Sequence, residues 1–118
     1  MTARELAFYL LGRHSRIRYP HLDIIMAAVL SDKNGNFGWN INTKGLRGGI
    51  HAEEGAFRRA NPKRLCGATL TVVGLRLESG NLLCSRPCER RCLGLAIKHG
   101  IGKIEYINQA RIWVVEVL

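Results

Sequence analysis

His51-Ala52-Glu53 and, further along, Pro87-Cys88-Glu89-Arg90-Arg91-Cys92 are the two short runs on which the reading of this chain turns. One imidazole and two thiols make three good zinc ligands. Three protein ligands leave a fourth tetrahedral position open, which is the pattern of a catalytic rather than a structural zinc site. The carboxylate of Glu53 then has a use. Zinc lowers the pKa of a bound water towards neutrality, and a glutamate outside the ligand set can accept that water's proton and pass it to a departing nitrogen.

Other runs fall in a definite order around these two. Gly38-Trp39-Asn40 precedes the H-A-E, Gly67-Ala68-Thr69-Leu70 reads as a strand, Ser85-Arg86-Pro87-Cys88 leads into the cysteine helix, and Ile101-Gly102-Lys103-Ile104-Glu105-Tyr106 follows it. Over roughly residues 23–117 the chain resembles the cytidine deaminase superfamily, whose signature is H-x-E with a downstream P-C-x-x-C. Its nearest likeness is to small deaminase-like proteins of phages and large viruses. The resemblance implies a three-layer α/β fold with a mixed five-stranded sheet and an antiparallel C-terminal hairpin. It implies zinc held by His51, Cys88 and Cys92, with Glu53 shuttling the proton. The reaction implied is hydrolytic conversion of cytosine to uracil in a cytidine or deoxycytidine nucleotide. It further implies that Asn40 contacts the sugar and that Ala52 abuts the pyrimidine carbonyl. Trp39 can stack on the base, although a core role is the more common one for a tryptophan. Relatives of this kind form dimers or larger rings, so a homo-oligomer is an expectation.

The chain departs from the pattern in one respect: Glu89, Arg90 and Arg91 put three residues between the cysteines instead of two. On a helix, positions i and i+4 share a face about as well as i and i+3. A helix beginning at Cys88 would therefore keep both sulfurs together, with its dipole favouring a thiolate in the first turn. Cys84 continues the same interval and is the alternative ligand. The first ligand is a histidine where free-nucleoside deaminases use cysteine, yet the last two strands lack the helix that tRNA adenosine and deoxycytidylate deaminases place between them. Substrate class therefore stays open among nucleotides, single-stranded DNA or RNA including tRNA adenosine, and none at all. The last case is a catalytically inactive relative that binds nucleic acid, against which the intact Glu53 argues.

A chain of 118 residues has room for one domain, 1–118, with one core. The formal charge of +9 comes from 18 basic and 9 acidic side chains. The basic residues cluster as Arg13, His14, Arg16 and Arg18; as Arg58, Arg59, Lys63 and Arg64; and as Arg86, Arg90 and Arg91. Such a surface attracts polyanions by a salt-sensitive, sequence-blind route. The third cluster flanks the cysteines and suits a phosphate-bearing substrate, with Arg86 the candidate contact. The four cysteines do not read as a disulfide framework, the apolar run from Ala7 to Leu11 is too short for a secretory signal, and no run approaches a membrane span, so a reducing cytoplasm is expected.

Thr2 can cap a helix to about Arg13, with Leu6, Tyr9, Leu10 and Arg13 at helical spacing and Phe8 at its edge. Pro20 closes a basic loop. Leu22 to Leu30 reads as a strand buried on both faces, and Asn34-Gly35 as a hairpin turn returning through Phe37 to Asn42. Asn42 is a weaker candidate than Asn40 for the sugar. After Thr43-Lys44 and the glycine-rich run from Gly45 to Gly49, a helix from His51 buries Ala52, Ala56, Phe57 and Ala60, and Asn61-Pro62 stops it. Ala68 to Leu77 is a strand whose alternation slips beside Gly74, which predicts a bulge there. The second ligand helix, Cys88 to His99, turns Leu93, Ala96 and Ile97 inward and ends at Gly100. Lys103 to Ile107 and Arg111 to Leu118 are too close in sequence for a crossover and should pair as a hairpin.

Overall fold

The structure is a computed structural model that describes residues 1–15, 23–42 and 50–118. Arg16, Arg18, Pro20 and Leu22, together with the run from Thr43 to Gly49, lie outside the described residues, as does any reading placed on them.

Thr2 caps helix α1 (Ala3–Ser15) through a reciprocal pair of bonds: the Glu5 N–H donates to Thr2 Oγ1 at 3.1 Å, and the Thr2 N–H donates to Glu5 Oε1 at 2.9 Å. Its buried stripe is Ala7, Leu10 and Leu11 with Leu6 packed beside it, so Leu10 and Leu6 of the expected stripe face the core whereas Tyr9 and Arg13 are exposed. Tyr9 is exposed because α1 turns Ala7, Leu10 and Leu11 onto Ile25, Val29 and Val73 and leaves its other side uncovered. Strands β1 (Ile24–Asp32) and β2 (Gly35–Ile41) form the expected antiparallel hairpin, with Gly35 at a φ of 113° that glycine adopts without strain. Asn42 extends the ladder past the end of β2. Its side chain accepts the Met26 N–H at 2.8 Å and donates to the Ile24 carbonyl at 2.9 Å, which makes it a structural residue rather than a contact for a sugar.

Helix α2 (Ala52–Arg59) leads through a single turn of 3-10 helix to β3 (Thr69–Arg76), β4 (Leu82–Leu83), helix α3 (Cys92–Lys98), β5 (Lys103–Ile107) and β6 (Trp113–Val117). The strands order as β2-β1-β3-β5-β6, with β4 paired to β3. The sheet therefore has six strands rather than five, the sixth being the two-residue β4. The β3–β5 pair is parallel and the β5–β6 pair antiparallel, so the C-terminal hairpin is as expected.

The expected bulge at Gly74 is absent. β3 pairs with β1 in unbroken register from Ile24↔Arg76 to Ser31↔Thr69. The alternation only looked broken because this central strand is buried on both sides. Leu70 and Val72 pack with α2 and α3, while Val73 packs with α1. Gly74 falls on the ligand-helix side, where a Cβ would meet the Met26 thioether, so a larger residue there requires the Met26 side chain to move. The real register shift lies in β1, between Leu30 and Ser31 opposite β2.

Three layers result: α1, the sheet, and α2 with α3. Two cores fill the gaps, one centred on Leu30, Leu70, Val72, Ala56 and Ile104, the other on Ile25, Val29, Val73 and Leu10. Phe57 of α2 stacks on His99 at the end of α3, with 5.2 Å between ring centroids, and ties the two helices together. Among the described residues, no helix is long and apolar enough to cross a membrane.

Candidate metal centre

Small residues bring α2 onto the sheet. A Cβ at Gly38 of β2 would lie 3.0 Å from the Ala60 Cβ, and one at Gly55 of α2 would collide with the Asn40 side-chain amide. The two glycines therefore let α2 run antiparallel to β2, with its first turn at the Ile41 end of the strand. His51 is the N-cap of this helix, Ala52 is fully buried beside it, and Glu53 is a carboxylate 95% withdrawn from solvent, at 5% exposure.

The second half of the site hangs on Ser85. Past Val72, β3 and β5 part, and the antiparallel β4 takes over the freed edge of β3 at Gly74 and Leu75. Buried Ser85 sits in that fork: its hydroxyl donates to the Val72 carbonyl at 2.9 Å, while its backbone N–H donates to the Ile107 carbonyl at 3.0 Å. This anchor aims Arg86-Pro87-Cys88 across the end of the sheet. Sequence reasoning used Ser85 only as part of a motif. A buried serine between two strands has no local signature.

The cysteine segment differs from expectation. α3 begins at Cys92 and not at Cys88, and residues 89–91 form a turn that absorbs the extra residue. The two sulfurs nonetheless meet, because the Cys92 N–H at the helix start points back at Cys88 Sγ, 3.4 Å away, and the Leu93 N–H closes the turn on the Cys88 carbonyl at 2.9 Å. The positive end of α3 thus faces the Cys88 sulfur from outside the helix. The later start also rotates α3: Cys92 and Ala96 are buried, whereas Ile97, expected inside, is 62% exposed.

His51 Nδ1 lies 3.2 Å from Cys92 Sγ and 3.8 Å from Cys88 Sγ, and all three ligand atoms fall within 4.8 Å of one another. Zinc–sulfur and zinc–nitrogen bonds of ordinary length give tetrahedral edges of about 3.6–3.8 Å. One imidazole and two soft sulfurs are also a donor set that suits zinc. Cys84 is exposed and outside the group. Glu53 reaches Cys92 as well. Burial first, and then the Glu53 carboxylate, push the Cys92 thiol far above its ordinary range, with Cys88 adding to the effect. Crowded anionic groups of this kind are what a bound cation relieves.

Glu54, which sequence reasoning passed over, joins the two halves. Its carboxylate accepts the His51 N–H at 3.1 Å and pairs with the Arg91 guanidinium at 2.9 Å. Arg91 immediately precedes the ligand Cys92.

The remaining candidates divide. Asn40 lies on the ligand-helix side of β2 over Gly55. Trp39, next in the alternation, pairs with Val29 of the opposite core. It is 38% exposed at the sheet edge, with the Arg59 guanidinium 5.3 Å from its ring, so it is neither a core residue nor on the face that carries the metal cluster. Arg86 is held in a two-pronged pair with Glu116 of β6, at 2.8 and 3.2 Å, with Tyr106 donating to the same carboxylate at 2.6 Å. Its charge is therefore answered within the fold. Arg90 is the cation of that cluster with no ion pair among the described residues.

No family model and no curated protein matches the sequence. Solved structures do. RibD from Acinetobacter baumannii superposes with a TM-score of 0.63 at 22% identity, covering 90% of this chain and 27% of that one. Cytidine deaminase from Mycobacterium tuberculosis superposes with a TM-score of 0.58 at 16% identity, covering 94% of this chain and 89% of that one. This chain spans about a quarter of the RibD structure's length and most of the tuberculosis protein's. It has a cytidine deaminase-like fold.

Proposed function

We propose that this protein, built on the fold of a cytidine deaminase, is a zinc-dependent hydrolase that deaminates the cytosine of a cytidine or deoxycytidine nucleotide. The observation that supports this reading most is the convergence of His51, Cys88 and Cys92, with buried Glu53 beside Cys92. A purely structural metal has no use for such an acid.

His51, Cys88 and Cys92 would hold the zinc. Bound there, zinc supplies Lewis acidity and a water that loses its proton near neutral pH. Glu53 would take that proton and pass it to the ring nitrogen as the water oxygen adds to the ring carbon, and would then take the second proton, from the hydroxyl so formed, and pass it to the amino group as the C–N bond breaks and ammonia leaves. Its burial keeps the carboxylate out of bulk water and close to the reacting atoms. Asn40, which lies over Gly55 of α2, would bond a sugar hydroxyl through its amide. Ala52, with no side chain beyond Cβ, leaves room for the flat edge of the base. Arg90 rather than Arg86 is the group that would meet a phosphate, because Glu116 already neutralises Arg86.

The test is ammonia release from dCMP, cytidine, single-stranded DNA and tRNA, each with and without a chelator. Release from dCMP that a chelator abolishes and zinc restores is the expected result. Zinc bound at one equivalent with no release from any of the four overturns the reading in favour of an inactive relative.

A further inference from the structure

A cleft at the end of the molecule remote from the metal cluster is unused by the proposed reaction. Both ligand helices run away from the cluster towards it. α2 extends eight residues, about 12 Å at 1.5 Å per residue, and α3 ends at Gly100, whose carbonyl accepts the Gly67 N–H at 2.7 Å on the cleft's rim. The cleft has a volume of about 620 Å³, and Lys33, Lys63, Arg64 and Lys103 line it beside Asp32 and Thr69.

These cations come from three separate places in the chain: the β1–β2 turn, the short turn after α2, and the start of β5. Their charges are not equivalent. Arg64 is fully engaged by Asp32, its Nε at 2.8 Å and its terminal nitrogen at 2.7 Å on the two carboxylate oxygens, and it lies 4.4 Å from the centre of the Phe37 ring. That pair forms a neutral, fixed wall. Lys33, Lys63 and Lys103 are exposed, and none forms an ion pair among the described residues. Three unanswered ammonium groups around one concavity favour a ligand carrying several negative charges.

The surface next to the cleft says which ligand. Phe37, under Arg64, also lines a neighbouring hollow with Trp39 and Arg59. A basic cleft beside a hollow that holds an exposed indole is the combination that holds a single strand, since lysines track phosphates and the ring stacks on a base. A rigid duplex offers no unstacked base to Trp39, and a phosphopeptide offers no run of charges.

We propose that the Lys33–Lys63–Lys103 cleft, with Trp39 in the neighbouring hollow, binds single-stranded nucleic acid independently of the metal centre. The probe is a fluorescent oligothymidylate, followed by anisotropy across a salt series on the full chain. Two variants are compared with the parent: K33E/K63E/K103E, whose side chains are all exposed, and W39A. Zinc content and circular dichroism are measured alongside.

The triple variant should bind at least tenfold more weakly, and its log–log salt slope should flatten by about 2 for three lost single-strand phosphate contacts. W39A should weaken binding on the order of tenfold with the slope unchanged. Both should retain the parent's zinc, which separates this site from the metal centre. An unchanged slope in the triple variant overturns the proposal. So does a preference for duplex, or binding of inorganic phosphate with none of the oligonucleotide.

Discussion

Glu54 and Arg91 form an ion pair of 2.9 Å that bridges the starts of the two helices bearing the candidate metal ligands. Glu54 also accepts the His51 N–H, and Arg91 adjoins Cys92, so the pair sets the separation of imidazole and thiolate. The fifth residue of the cysteine run supplies this contact, which gives the widened spacing between Cys88 and Cys92 a physical role.

Partners behind the metal ligands typically contribute 10–100-fold to metal affinity. R91A is therefore expected to lower zinc affinity by about that factor in competition with a chromogenic chelator, with R91K recovering part of it. The far-ultraviolet dichroism should not change, since Arg91 is half exposed and outside both cores. Unaltered zinc affinity in R91A would remove the pair from the metal centre.

Glu53→Gln keeps the shape of the side chain and removes the proton carrier. The expected loss in kcat for ammonia release is on the order of 10²–10⁴ or more. Zinc stoichiometry, read by mass spectrometry under native conditions, should stay at one. Loss of metal together with activity would mean that Glu53 is a ligand instead.

Gly55→Ala places a methyl on the Asn40 amide. A destabilisation of about 1–3 kcal/mol is expected from overpacking, visible in chemical unfolding. N40A should relieve it, so G55A/N40A should be more stable than the sum of the single changes. Additive single and double mutants would show that Asn40 does not sit over α2 in solution.

The Arg64 guanidinium, bonded to both oxygens, holds the Asp32 carboxyl down at about 2. A folded-state value below the unfolded one near 3.9 means that the pair's contribution is complete above about pH 4 and is lost as pH falls towards 2. The gap in Tm between the parent and D32N should therefore close over that interval. A gap that stays constant from about pH 5 to pH 2 would separate Asp32 from acid stability.

Much of this molecule was legible without coordinates. The Asn-Gly turn of β1–β2 and the Thr2 cap rest on contacts a few residues apart. The apolar runs of β1 and β3, and the short gap between β5 and β6, left few pairings open. The residue types of the metal cluster were equally plain, since an imidazole, two thiols and an adjacent acid have few other uses in that order.

The places where that reading missed share one cause. β3 looked broken because burial on both faces erases the alternation that a half-buried strand shows. α3 began four residues late because residues 89–91 form a turn that closes on Cys88 and is tied through Arg91 to Glu54 of α2, a contact between helices distant in the chain.

The sequence by itself determined the inventory: which groups could hold a metal, which segments extend or coil, and the excess of positive charge. Only the tertiary structure decided the assignments. It turned Trp39 away from the metal face, spent Arg86 on Glu116, and gathered Lys33, Lys63 and Lys103 from three distant segments into one cleft. Local chemistry is written in neighbouring residues, whereas the partner of a charge or a ring depends on which distant strand the sheet brings alongside it.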